Sequence, residues 1–245
     1  QWLKDLGMNG AQVKRAILAC PQLIALTLVG NLKPRVQWLK ELGMDDSQVV
    51  KTIANFPQLT CCSLEENLKP MVQWMKSLGM DDSQVAKTMT KHPQLMGCSL
   101  EENLKPMVHW LKGLGMDDSQ VAKTMTKHPQ LMSYSLEENV KPRVQWLKEL
   151  GMDDSQVAKT ISNFPNLMGY SLEENLKPKT KTREHDFTDK HLVEVLSKFP
   201  QLLSYSSKRL EHRIGVLESS GLLRKHSLSS FMVLTDATFS ARFEH

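Results

Sequence analysis

Cysteine is scarce in this chain, and what there is does not point to a metal. The four cysteines, Cys20, Cys61, Cys62 and Cys98, form no Cys-x-x-Cys and no paired ligand spacing, so they read as small core residues from a reducing compartment. Eight histidines include no His-Glu-x-x-His or similar cluster. No nucleophile–base pair or metal constellation emerges anywhere, which argues against an enzyme and leaves catalytic residues, metal ligands and cofactors all at none. Runs of about 18 apolar residues, the length that spans a bilayer, are missing too, and no membrane partner is expected. No segment reads as a signal peptide. Gln1-Trp2-Leu3-Lys4 already lies inside a repeating pattern, so any targeting segment is expected upstream of it.

Net charge is also slight, at +4, and it is unevenly spread. Between Lys177 and Arg213 nine Lys/Arg stand against five Asp/Glu, a local net of +4 that equals the total for the chain. The upstream sequence is nearly neutral. A weak, localised basic bias is compatible with an anionic partner and is no proof of one.

Periodicity is what the chain has in abundance. Lys-Pro recurs with its proline at Pro34, Pro70, Pro106, Pro142 and Pro178, each 36 residues from the next. Pro-Gln-Leu or Pro-Asn-Leu begins at Pro21, Pro57, Pro93, Pro129, Pro165 and Pro200, and the two series hold all eleven prolines. The five tryptophans, Trp2, Trp38, Trp74, Trp110 and Trp146, keep the same step. A fixed period in this range signals stacked supersecondary units. The chain is therefore expected to be one array: a partial repeat at 1–26, full repeats at 27–62, 63–98, 99–134 and 135–170, a degenerate repeat at 171–205, and a C-terminal half-repeat with a cap at 206–245. Repeats 63–98 and 99–134 match at 31 of 36 positions, as recent duplication or consensus design would produce.

One unit, Ser63 to Cys98, shows the expected logic. Ser63 and Glu66 have capping-box spacing. Lysine before proline is disfavoured in a helix, so a short turn should precede a helix A that begins near Pro70. Leu68, Val72, Met75 and Leu78 form its apolar stripe, and Gly79 should end it in a left-handed cap. Asp81 should cap helix B, with Gln84 three residues on and Val85 and Met89 facing inward. Pro93 stops that helix and opens a tight 3₁₀-like turn. After Pro178 the pattern falters: 179–186 has no apolar stripe, and Thr182 takes the tryptophan position. Helix B should return from Thr188 to Lys198. A last helix should carry Leu210, Ile214 and Leu217 and end at Gly221. Ser227–Phe231 and Thr235–Phe239 should belong to the capping element.

The combination of Pro-x-Leu-Leu/Met, a following serine, Leu-Lys-Pro-x-Val-x-Trp-Leu, and Leu-Gly-Met before helix B resembles the mitochondrial transcription termination factor (mTERF) family of organelles. Phe199–Leu203, Arg213-Ile214, Gly221–Leu223 and Ser227–Phe231 look like that family's C-terminal end. The resemblance implies an all-α superhelical solenoid of about six helix–helix–3₁₀ repeats, and a basic groove for double-stranded nucleic acid. It also implies a role in organellar gene expression, in the chloroplast or the mitochondrion. The expected partner is double-stranded DNA, with RNA as the alternative, bound by a monomer.

Candidate contacts follow from columns of residues one period apart. Lys33, Lys69, Lys105, Lys141 and Lys177 form one. Lys4, Lys40, Lys76, Lys112 and Lys148 form a second, and Arg15, Lys51, Lys87, Lys123 and Lys159 a third. Such rows could follow a phosphate backbone, although Glu65, Glu66, Asp81 and Asp82 can balance them. The position after each Lys-Pro varies more: Arg35, Met71, Met107, Arg143, Lys179, and Arg213 in the last helix. Arginine can fork onto phosphate or guanine where methionine cannot. The expected interface is therefore Arg35, Lys69, Lys105, Lys141, Arg143, Lys177, Lys179, Lys181, Arg183, Lys208, Arg209 and Arg213, with Arg213 contributing more than Lys76. Tyr134, Tyr170 and Tyr205 share a column with Cys62 and Cys98, which favours packing over base stacking. His92 and His128 align with Phe56, Phe164 and Phe199 and read as half-buried packing residues. The other functional readings are a single-stranded RNA binder and a protein-binding scaffold. Repeats this alike argue against a base-by-base code.

Overall fold

A computed structural model describes residues 2–25, 28–180, 193, 196–198, 200–220 and 234–243. Among these residues the chain is all-α, built from helix–helix–3₁₀ units of about 36 residues. It divides into two compact units, Gln1–Ser135 and Leu136–His245. In the first lie α1 (Trp2–Asp5), α2 (Gly10–Ala19), α3 (Lys33–Glu41), α4 (Asp46–Asn55), α5 (Lys69–Ser77), α6 (Asp82–Lys91), α7 (Lys105–Gly113) and α8 (Asp118–Lys127). In the second lie α9 (Lys141–Glu149), α10 (Asp154–Asn163), α11 (Lys177–Thr180), α12 (Ser207–Ser219) and α13 (Asp236–Phe243). The segments expected at 181–192 and 221–233 fall outside the described residues, apart from the stretch of the expected helix B at 193 and 196–198.

Local chemistry explains each boundary. Gly79 has φ +88°, a region that costs other residues about 1–2 kcal/mol. Its amide donates to Lys76 O, and the Met80 amide reaches back to Met75 O, closing the Schellman pair at the end of α5. Two residues later Asp81 Oδ1 accepts from the Gln84 amide at 2.7 Å, while Gln84 Oε1 accepts from the Asp81 amide at 2.9 Å. The same reciprocal box starts α2, α4, α8 and α10. Pro57, Pro93 and their equivalents then open the 3₁₀ turns.

The start of helix A departs from expectation. Lys69 is helical, with φ −64° and ψ −47°, and Leu64–Leu68 is a π turn that runs directly into α5. The Leu68 and Lys69 amides bond five residues back, to Ser63 O and Leu64 O. A proline in an ordinary α-turn clashes with the carbonyl four residues before it and supplies no N–H. The wider π turn gives the Pro70 ring room and moves the hydrogen-bond register by one residue. Ser63 does cap this turn, its Oγ accepting from the Glu66 amide.

Leu68, Val72, Met75, Leu78, Val85 and Met89 are all buried, as the apolar stripes required. In the first unit the B-type helices α2, α4, α6 and α8 pack each against the next. Their stacking fixes a register in which residue i meets residue i+41 of the following repeat. Cys20 Sγ lies 2.8 Å from Cys61 Sγ. A Cβ on Gly97 would come within 2.7 Å of the Phe56 ring tip. His92 Nε2 lies 2.7 Å from Ser133 Oγ. Large residues therefore face small ones, and a polar ring faces a hydroxyl.

This register predicts a non-additive pair of substitutions. His92→Phe alone should destabilise the chain, because the longer ring meets the Ser133 side chain. Adding Ser133→Gly should restore stability by recreating the Phe56–Gly97 fit, with a coupling of about 1–2 kcal/mol in a denaturant double-mutant cycle. A second outcome tests the threonine column. Thr52, Thr88 and Thr160 bury hydroxyls with no hydrogen-bond partner among the described residues, so Thr88→Val should raise the unfolding free energy by about 1 kcal/mol.

Candidate nucleic-acid interface

The three cationic columns have different electrostatic fates. In the first, Lys69, Lys105, Lys141 and Lys177 pair with Glu65, Glu101, Glu137 and Glu173, one helical turn earlier. Lys33 has Val29 where the others have glutamate. In the second, Lys40, Lys76, Lys112 and Lys148 reach across the glycine turn to Asp46, Asp82, Asp118 and Asp154. The Asp-Asp pairs thus divide their work: the first caps a helix and the second neutralises a lysine. These lysine side chains are 38–46% exposed, and surface pairs of this kind contribute about 0–1 kcal/mol.

The third column is not neutralised. Arg15, Lys51, Lys87, Lys123 and Lys159 are exposed on the B-type helices, and none makes a hydrogen bond or ion pair among the described residues. Four of them, Arg15, Lys51, Lys87 and Lys123, occupy equivalent places on the successive helices α2, α4, α6 and α8 of the first unit. Packed helix axes lie about 8–10 Å apart, roughly three nucleotide steps at about 3.4 Å of duplex axis each. Lys91 and Lys127 add charge to α6 and α8, and the Lys91 ammonium donates to Thr126 O and Lys127 O at 3.4 and 3.3 Å.

The arginines singled out by sequence are occupied within the chain. Arg35 Nε and Nη2 donate to Cys62 O at 3.0 and 2.7 Å, and Nη1 donates to Asn31 O at 2.7 Å. Arg143 repeats this with Tyr170 O at 2.8 Å and Asn139 O at 2.6 Å, and is 8% exposed. Each ties the start of its helix A to the end of the 3₁₀ turn of its own repeat. Met71 and Met107 fill the same place as buried apolar plugs. Arg213 is 1% exposed; its Nη2 donates to Leu234 O at 2.8 Å and Asp236 Oδ1 at 2.6 Å, beneath the Phe239 ring. Arg209 donates to the same Leu234 carbonyl, makes an ion pair with Asp236 and lies 4.2 Å from the Tyr205 ring centre. Arg143 and Arg213, expected as forks onto nucleic acid, are thus buried and hydrogen-bonded within the chain. A buried guanidinium is tolerable only when its donors are satisfied, and here backbone carbonyls and a carboxylate satisfy them. Arg35 and Arg209 are half-buried under the same kind of commitment.

Lys208 is exposed on α12. Lys179 lies in α11, and Lys181 and Arg183 fall outside the described residues. The tyrosines are half-buried, with the Phe164 and Tyr170 rings 6.1 Å apart. His92 and His128 are half-buried, and burial pushes both imidazoles below the usual histidine range, helped at His128 by Lys91 and Lys127. Among the described residues no cluster of His, Cys, Asp or Glu could hold a metal, and no helix is long and apolar enough to cross a membrane.

Stacked helix–helix–3₁₀ units define the class: an all-α helical-repeat protein, here with a row of exposed cations on the B-type helices. The mTERF family model matches residues 1–240, and the chain belongs to that family. It is a family of nucleic-acid-binding repeat proteins, generally organellar and not known for enzymes. None of the curated proteins compared with the chain matches it.

The arginine geometry predicts stability effects. Arg213→Met should lower the unfolding free energy by about 1–3 kcal/mol, because Leu234 O and Asp236 lose one of their two arginine partners and keep only Arg209. Arg143→Met should be milder, since methionine already fills that place in two repeats. Chemical denaturation measures both.

Proposed function

We propose that this protein binds double-stranded nucleic acid, DNA in the first instance, and thereby regulates transcription in an organelle, termination included. The observation that carries this reading is the row Arg15, Lys51, Lys87 and Lys123, a column without acidic partners among the described residues, whereas most lysines of the other two columns are neutralised. Lysines along phosphates give affinity without reading sequence. Lys69 and Lys105 in the first unit, and Lys141 and Lys177 in the second, are a reserve: their exposed pairs with glutamate are weak enough for a phosphate to displace. Lys208 offers an exposed cation on α12 of the second unit.

Binding to duplex DNA, duplex RNA and single-stranded RNA over a range of salt tests the reading. Duplex preference with a steep negative salt dependence is expected. Replacing Lys51, Lys87 and Lys123 together by glutamine should weaken duplex binding about ten- to a hundredfold at low salt and reduce the log–log salt slope by about three. Lys76→Gln should change neither by more than a fraction of that. Preference for single-stranded RNA would move the function to RNA processing. Absence of binding at low salt would leave the protein-scaffold reading.

A further inference from the structure

Cys20 and Cys61 sit in successive repeats, at the end of α2 and at the end of the 57–60 3₁₀ turn, with their sulfurs 2.8 Å apart. That separation is a consequence of the stacking register, since Phe56–Gly97 and His92–Ser133 meet at the same 41-residue offset. Gln58 Nε2, donating to Ala19 O at 3.1 Å, clamps the same two segments beside the sulfurs. Cys20 is buried and Cys61 is exposed, so one sulfur meets solvent and the other waits behind it. Cys62, although adjacent in sequence, turns its sulfur toward Gln58 O of its own turn.

We propose that Cys20 and Cys61 are a dithiol site that a peroxide converts to a disulfide, stapling the first two repeats together. The Cys61 sulfur attacks the O–O bond of hydrogen peroxide as its thiolate. One oxygen stays on sulfur as a sulfenic acid, and the other leaves as hydroxide, which takes up the displaced thiol proton as water. The Cys20 sulfur then attacks the Cys61 sulfur. The S–S bond forms, the S–O bond breaks, and the departing hydroxide combines with the Cys20 proton as a second water. Two thiols are oxidised by two electrons and one peroxide is reduced to two waters. Desolvation and the neighbouring Cys20 push the Cys61 thiol up to about 11, so Cys61 rests as a thiol and responds to oxidant slowly near neutral pH. The bridge closes the chain between α2 and α4, and so opposes separation of the first repeat from the second.

The test is peroxide treatment of the whole reduced chain, alkylation of the remaining thiols, and peptide mass mapping without reductant. The expected product is a peptide pair linked through Cys20 and Cys61, lighter by two hydrogens. Cys61→Ser should abolish it, and serine already occupies that place at Ser133 and Ser204, so folding should survive. Cys62→Ser should leave it intact. In the oxidised chain, amide exchange over α2 should slow by about tenfold or more, reversibly on reduction. A dominant Cys61–Cys62 link, an intermolecular link, over-oxidation with Cys20 still free, or unchanged exchange in the bridged chain would each overturn the proposal.

Discussion

Helices of nine or ten residues do not hold together alone in water, and nearly every helix of this chain is that short or shorter. Their stability must come from burying one unit's apolar face against the next. That constraint explains why the caps are repeated so faithfully. A positive-φ glycine and an aspartate capping box, separated by one methionine, reverse the chain in three residues and align two stripes toward the same interface. It also explains the two proline series, which set where each helix may begin or must stop.

Charge is arranged around the same constraint. Most lysines on helix A meet an acid that the local chain supplies, either a glutamate one turn back or the second aspartate of the cap. On the exposed face of helix B, polar residues such as Ser83 and Gln84 lie beside the lysine without an acid among its near helical neighbours. The cations of α4, α6 and α8 thus remain uncompensated because the acids of the repeat are spent elsewhere, and Arg15 of α2 because its repeat has Asn9-Gly10 in place of the Asp-Asp pair. The net charge of +4 understates this row, because it averages neutralised and open columns.

Much of this fold is legible in the order of residues alone. The period, the Gly79 cap, the Asp81 box, the Pro93 turn and the apolar stripe can all be read there, since each depends on neighbours within a few residues. The conformation of Lys69 cannot: the rule against helix before proline assumes an α-turn, and the π turn evades it. The setting of the arginines is hidden from the sequence for another reason. A change from methionine to arginine looks like a gain of function when only side-chain chemistry is considered. Their partners are backbone carbonyls, 27 residues along the chain for Arg35 and Arg143 and 21 for Arg213, and carbonyls leave no trace in the pattern of side chains. The third column is in plain view. Distinguishing it requires asking which lysines have an acid within reach.

The same reasoning changes how departures from the repeat should be weighed. Cys20, Phe56 and His92 occupy one column, and Cys61, Gly97 and Ser133 occupy the column that meets it. Taken separately, each is an irregularity that invites a functional story. Taken as pairs, a ring faces a glycine, an imidazole a hydroxyl and a thiol a thiol. Variation at such positions is constrained two at a time, because a change on one side alters the space available on the other. Function is therefore better sought where a residue is repeated and has no partner, as on helix B, than where it merely breaks the pattern. The cysteine pair belongs to both categories: it satisfies the packing register, and it adds a chemistry that neither the Phe56–Gly97 nor the His92–Ser133 pair possesses.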